Sequence, residues 1–267
     1  MPNKRKPRPS RFEVSGTPAA TRRSAFDFRI PMRWVNTLIG IFLLPVAFIW
    51  TQTFFTVFSQ LPMRLDKGAF WATEELWFFS LGAILWVIAF FGLPRPLLIY
   101  VFGHELTHAL WVWVMGGRVS QFAVSRDGGH IVTDKHNVWI ALAPYFFPLY
   151  SMLVIVIYGI AGLFIDLSPD VYHRLLYALI GATWAFHTTF TLWMIPKGQT
   201  DLTYHGTFYS LTVIYLMNLL VLTIFLMVAL PHVRVTSRHE DPTWRLFART
   251  FRKNTVEFSN WIYSKVR

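Results

Sequence analysis

The sequence predicts an all-α, multi-pass membrane protein of about six transmembrane helices, with a small β-hairpin after the third. Three observations predict it. Of 267 residues, 54% are apolar and 18% aromatic, and the mean hydropathy is +0.40. Only 15% are charged, where a soluble domain carries about 25%. The apolar residues gather into runs long enough to cross a hydrocarbon layer of about 30 Å. Cysteine is absent, which excludes disulfides and thiolate ligands, so a metal here must be held by His, Asp or Glu.

Residues 1–34 form a basic segment. They carry nine Lys and Arg against Glu13 and Asp27, and are rich in Pro and Ser around KRKPRP. Such a stretch buries too little apolar surface to fold, and disorder is expected. Arg33 and Trp34 suit the membrane interface. No cleavable signal peptide is evident, because the first long apolar run starts near Val35, after this basic lead.

The transmembrane domain is expected over residues 35–231. Its first span covers 35–58, with Pro45 a kink. A polar loop over 60–72 carries Arg64, Asp66 and Lys67. The second span, 75–91, is broken by Gly92-Leu93-Pro94-Arg95-Pro96. The third, 97–115, stops at Gly116-Gly117-Arg118, glycine being the usual residue past a helix end. Residues 119–133 alternate apolar and polar around Asp127-Gly128-Gly129, the pattern of a β-hairpin. The fourth span, 138–165, holds Pro144 and Pro148, which distort its first turns. Ser168-Pro169 starts the fifth, 172–195, which contains His187. A break over 196–206 leads to the sixth, 207–230, stopped by Pro231. In the tail, 232–267, Trp244, Phe247, Phe251, Phe258 and Trp261 recur at near-helical spacing among eight Lys and Arg. That predicts a basic amphipathic helix lying on the membrane surface.

The net charge of +11 sits mainly at the two ends. A nucleic-acid role is the weaker explanation; basic flanks held in the cytoplasm against anionic lipid are the stronger. Six spans with both termini cytoplasmic place 19 of the 25 Lys and Arg inside, as expected for a bacterial-type cell membrane. The third and fifth spans then run in the same direction.

The third span carries His104-Glu105-Leu106-Thr107-His108. Four residues apart on a helix, His104 and His108 stack one turn above each other and can hold one metal ion. Glu105 adjoins the first ligand, where it can touch a metal-activated water without taking a coordination site. These are the parts of a zinc hydrolase. Ionisable groups at this depth cost roughly 2.5–3.5 kcal/mol each, so they need a partner or a cavity. The competing reading is a histidine pair satisfied within a helix bundle.

A catalytic zinc takes three protein ligands and keeps one position open. The candidates for the third are Asp201, His130, His136, His187, His205, Asp127 and Asp134. Asp201 lies in a polar break between two spans, near Pro196 and Gly198; its simpler role is to cap the sixth helix. Spacing alone does not choose among them.

The H-E-x-x-H motif in an apolar helix, followed by Gly116-Gly117-Arg118-Val119 and a glycine-rich hairpin, resembles the site-2 protease-like family of intramembrane zinc metallopeptidases. The resemblance covers roughly residues 95–210. In that family a later helix ends in a Pro-containing segment leading to Asp-Gly, and the matching stretch here is Ile195-Pro196-Lys197-Gly198-Gln199-Thr200-Asp201. The resemblance implies that His104, His108 and Asp201 bind one Zn2+ per chain and that Glu105 is the catalytic base. Here Asp201 is followed by Leu202 rather than Gly, and the usual Asn-Pro-x-Pro lead is reduced to one Pro.

The expected function is therefore a zinc-dependent intramembrane endopeptidase. It would hydrolyse peptide bonds in or near transmembrane segments of membrane proteins. Its partners are a transmembrane protein or peptide substrate and the lipid bilayer, not nucleic acid. The alternative is a non-catalytic metal-binding membrane protein, either a transporter or a partner-binding helix bundle. A transporter lines a path with ionisable groups, whereas here only His187 lies well inside a span outside the motif. A membrane di-iron oxygenase needs several more His-rich boxes.

Overall fold

The structure, a computed structural model, describes residues 31–60, 73–229, 232–236 and 239–266. The basic lead over 1–30 and the polar loop over 61–72 lie outside the described residues. The expected all-α class with one hairpin after the motif helix is what is found.

The chain runs α1 (Met32–Gln60), α2 (Glu74–Gly92), α3 (Leu97–Val114), β1 (Val119–Ser125), β2 (Gly128–Thr133), α4 (Val138–Phe146), α5 (Leu149–Ala161), α6 (Asp170–Met194), a 3-10 turn (Ile195–Lys197), α7 (Thr200–Tyr204), α8 (Thr207–Ala229), β3 (His232–Thr236), β4 (His239–Pro242) and α9 (Thr243–Val266). Among the described residues, five helices are long and apolar enough to cross a membrane: α1, α2, α3, α6 with its 3-10 turn, and α8. The pair α4–α5, bent by 73°, makes a sixth candidate. Their outward faces carry exposed apolar side chains such as Phe42, Phe91 and Val114, as lipid-facing surfaces do. This is a multi-pass membrane protein.

Local chemistry sets the boundaries. Thr73 caps α2 by accepting from the Leu76 N–H, and Glu74 and Glu75 fill its first turn, where the helix dipole favours carboxylates. α3 ends as glycine allows: Gly116 takes φ +70° and the Gly117 N–H returns to the Val112 carbonyl at 2.8 Å. β1 and β2 pair antiparallel around Arg126-Asp127, with Ser125 opposite Gly128 and a register shift between Val119 and Gln121.

The predicted fourth span is broken rather than merely distorted. Pro148 has no N–H, and the Leu149 N–H bonds to the Phe147 carbonyl instead of continuing the helix. α4 and α5 therefore leave the break in different directions. A short hairpin, β3–β4, precedes the tail helix; it was not foreseen. The tail helix α9 forms, and part of its apolar face packs on α1, while Trp244 and Trp261 stay exposed. Leu246 and Phe247 cluster with Val57 and Leu226, Phe258 meets Phe48, and Asn254 donates to Thr53 at 3.0 Å in a buried bond.

Helix pairing corrects the expected arrangement of spans. Asn36 meets His205, Thr51 meets Tyr215 and Val57 packs with Leu226, so α1 and α8 run side by side in the same direction. Six alternating spans would make them opposed. α2 and α6 are parallel as well, from Glu74–Arg174 to Phe90–Phe190. They pack backbone to backbone: a Cβ on Gly82 would strike the Ala178 carbonyl oxygen, and one on Gly181 the Phe79 carbonyl oxygen. The third and fifth spans do not run together: Tyr100, at the start of α3, stacks on Phe190, near the end of α6, at 4.6 Å.

Candidate metal centre

α3 buries its motif completely. His104 is 4% exposed, Glu105 1% and His108 0%. Asp201 reaches them by a fold-back at the end of α6. Pro196 sits in the 3-10 turn, Gly198 turns the chain at φ +75°, a conformation costly for any residue with a Cβ, and α7 then carries Asp201 back along α3. It is 0% exposed.

Asp201 Oδ2 lies 3.4 Å from His104 Nε2 and 3.6 Å from His108 Nε2. The three donor atoms all fall within 4.8 Å of one another. Zinc bonds of about 2.0–2.1 Å put neighbouring ligands of a tetrahedron about 3.4 Å apart, so the spacing suits a shared ion better than direct hydrogen bonds, which favour about 2.7–2.9 Å when charge-assisted.

The rest of each imidazole is committed in a way that leaves Nε2 to point inward. His108 Nδ1 lies 2.7 Å from the Ile140 carbonyl, to which it donates. That carbonyl is available because its normal partner, the residue four positions on, is Pro144. His104 Nδ1 lies 3.2 Å from the Tyr100 hydroxyl. Such outer partners set the tautomer and ring orientation of metal-binding histidines. Tyr145 donates to Asp201 Oδ2 at 3.0 Å, and its ring meets His104 edge-on. Burial alone would raise the Asp201 pKa; the two histidines beside it outweigh burial and hold the carboxyl well below the usual range. One carboxylate and two imidazoles are a zinc-type donor set.

Glu105 faces the hairpin. Gly129 of β2 packs so closely that a Cβ there would lie 2.5 Å from Glu105 Cγ. Beside them a cavity of about 660 Å³ separates the hairpin from the end of α6, lined by Val101, Gln121, Gly129, His130, Trp193 and Gln199 among others. Val101 is one helical turn before Glu105, and Gln199 is two residues before Asp201. Glu105 and Asp201 do not themselves line it; Gly129, which does, is packed on Glu105.

The other candidates for the third ligand stand apart from the cluster. His130 lines the cavity. Asp127 sits in the hairpin turn, and Asp134 accepts from the Arg118 N–H at 2.7 Å. His187 lies behind His104 on α6, where both line a small void of about 20 Å³. His136 and His205 stack on each other at 5.6 Å and 4°. Burial, then the neighbouring His205, push the His136 pKa down to about 4; burial also lowers His205. Tyr100, Tyr145 and the Ile140 carbonyl were missed from sequence. Tyr100 had a signal, lying one turn before His104 on the same face.

No family model, no curated protein and no solved structure matches the chain. What stands is a helical membrane protein with a buried His104–His108–Asp201 cluster able to hold a metal.

Proposed function

We propose that the chain is a zinc-dependent intramembrane endopeptidase of the site-2 protease-like kind, cutting peptide bonds in or near transmembrane segments of other membrane proteins. One observation carries the reading: Glu105 is buried next to a His–His–Asp cluster and is packed against Gly129, which lines a 660 Å³ cavity. A purely structural histidine pair has no use for a buried carboxylate at that position, because burying it costs several kcal/mol.

His104, His108 and Asp201 hold the ion, and Glu105 is the base. A bound zinc supplies a Lewis acid that acidifies water and polarises a carbonyl. Glu105 accepts a proton from the attacking water and delivers it to the leaving nitrogen, so that the C–N bond gives way to a carboxylate and an amine. The substrate segment must be unwound, since a helical carbonyl is covered by its own hydrogen bond. Residues 128–130 line the cavity, so an extended segment there lies against β2 and can use backbone pairing. The hairpin and the end of α6 shield the reacting bond from bulk solvent.

The test uses full-length protein purified in detergent. Wild type and Glu105→Gln are expected to hold about one zinc per chain, and Asp201→Ala to lose most of it. In proteoliposomes with a panel of single-span membrane proteins, fragments detected by mass spectrometry should appear with wild type alone. Metal-free wild type from non-chelating buffers, or equal cleavage by Glu105→Gln, overturns the reading.

A further inference from the structure

The break between α4 and α5 leaves carbonyls without their helical donors, and one of them is put to use. In a continuous helix the Tyr145 carbonyl would accept from the Leu149 N–H, which here bonds to the Phe147 carbonyl. A carbonyl stranded in an apolar interior is costly. Asn218 of α8 donates Nδ2 to it at 2.9 Å. Asn218 is itself steadied by the Ile214 carbonyl at 2.9 Å. The backbone of this one residue is thereby tied to a neighbouring span.

That residue points its side chain at the metal cluster. The Tyr145 hydroxyl donates to Asp201 Oδ2, the same oxygen that faces both histidine Nε2 atoms. Its ring packs edge-on against His104 at 5.3 Å, and it is wholly buried. Asp201 sits on a five-residue helix between a positive-φ glycine and the loop at Gly206, with Leu202 beside it buried in the same core cluster as Tyr145.

We infer that Tyr145 is a positioning residue for the metal. Anchored by Asn218 at the α4–α5 break, it fixes which oxygen of Asp201 meets the ion. This rests on the metal-site reading above. The device links α4 and α8 to the one ligand of the cluster that lies outside the motif helix.

The test needs no substrate. Metal-free full-length protein in detergent is titrated with cobalt(II), reading the visible ligand-field spectrum and the affinity by chelator competition. Tyr145→Phe is expected to keep the melting temperature of the metal-free protein, bind cobalt about 10–100-fold more weakly and show an altered spectrum. Asn218→Leu should weaken binding in the same direction, yet add little in the Tyr145→Phe background, because it acts through Tyr145. If Tyr145→Phe binds cobalt with wild-type affinity and spectrum, the inference is overturned while the metal site stands. If wild type binds no cobalt, the metal site itself falls. Should Tyr145→Phe fail to fold, Asn218→Leu decides alone, and wild-type cobalt binding in it overturns the inference.

Discussion

The Ile140 carbonyl accepts the Nδ1–H of His108 at 2.7 Å because Pro144, four residues on, has no N–H to claim it. A proline inside a helix usually costs about 3 kcal/mol. Here the freed carbonyl is paired, and the pairing orients a metal-binding imidazole. Pro144→Ala restores a competing N–H. The expected outcome is metal binding weakened by about tenfold or more with no loss of thermal stability in the metal-free protein. Chelator competition and a thermal melt on one preparation check both halves. Unchanged affinity would mean that the Ile140–His108 bond does not govern the ligand.

Gly129 is where the hairpin touches Glu105. A methyl group there would lie 2.5 Å from Glu105 Cγ and 2.9 Å from the Ala123 carbonyl oxygen, so either the strand or the glutamate must move. Gly129→Ala is expected to retain about one metal per chain but lose hydrolysis by tenfold or more, since misplacement of about 1 Å costs that much or more. Metal content alongside fragment yield in proteoliposomes separates this from collapse of the site. Full activity would show that the contact is mere packing.

The stacked pair His136–His205 makes the fold sensitive to acid. The His136 pKa falls from 6.5 to about 4 on folding, from burial first and the adjacent His205 second. The unfolded chain therefore binds more protons between those values, and stability falls as pH drops from about 6.5 toward 4. His205, lowered by burial, acts in the same direction. In metal-free protein, the melting temperature of wild type should decline from pH 7 to pH 5. His136→Gln should flatten that decline while lowering the pH 7 value only slightly. An unchanged slope would assign the acid limb to carboxylates alone.

Much of this architecture could be read from the chain. Apolar runs bounded by Gly92–Pro96, Gly116 and Pro231 located the helices to within a few residues, because in lipid a backbone must satisfy its own hydrogen bonds. The motif gave His104, Glu105 and His108 from spacing alone, whereas Asp201 needed the family resemblance, since its approach depends on a turn at Gly198 that no local pattern dictates. Pro144 and Pro148 could be read as disturbances, but not as the source of the carbonyls that hold His108 and Tyr145, because those partners come from other helices. Tyr145 carried no signal at all: one tyrosine among 10, defined only by its three-dimensional neighbours. The β3–β4 hairpin was short enough for its alternation to be lost in the basic tail.

Charge counting and helix packing point to different topologies, and labelling decides between them. The distribution of Lys and Arg weighs each loop by its sequence position and assumes that every apolar run crosses. The packing of α1 beside α8 is a stronger constraint, since Asn36 is hydrogen-bonded to the His205 carbonyl at one end of the pair and Val57 packs with Leu226 at the other. Two neighbours that point the same way are joined by an odd number of crossings, so one of the six candidate segments does not pass fully through. The natural absence of cysteine makes the check clean. Ser24→Cys before α1 and Thr236→Cys after α8 each introduce a single thiol. With a membrane-impermeant maleimide, one should label in right-side-out vesicles and the other only in inverted ones. Labelling of both from the same side would require α1 and α8 to cross in opposite senses, which their side-by-side contacts do not permit.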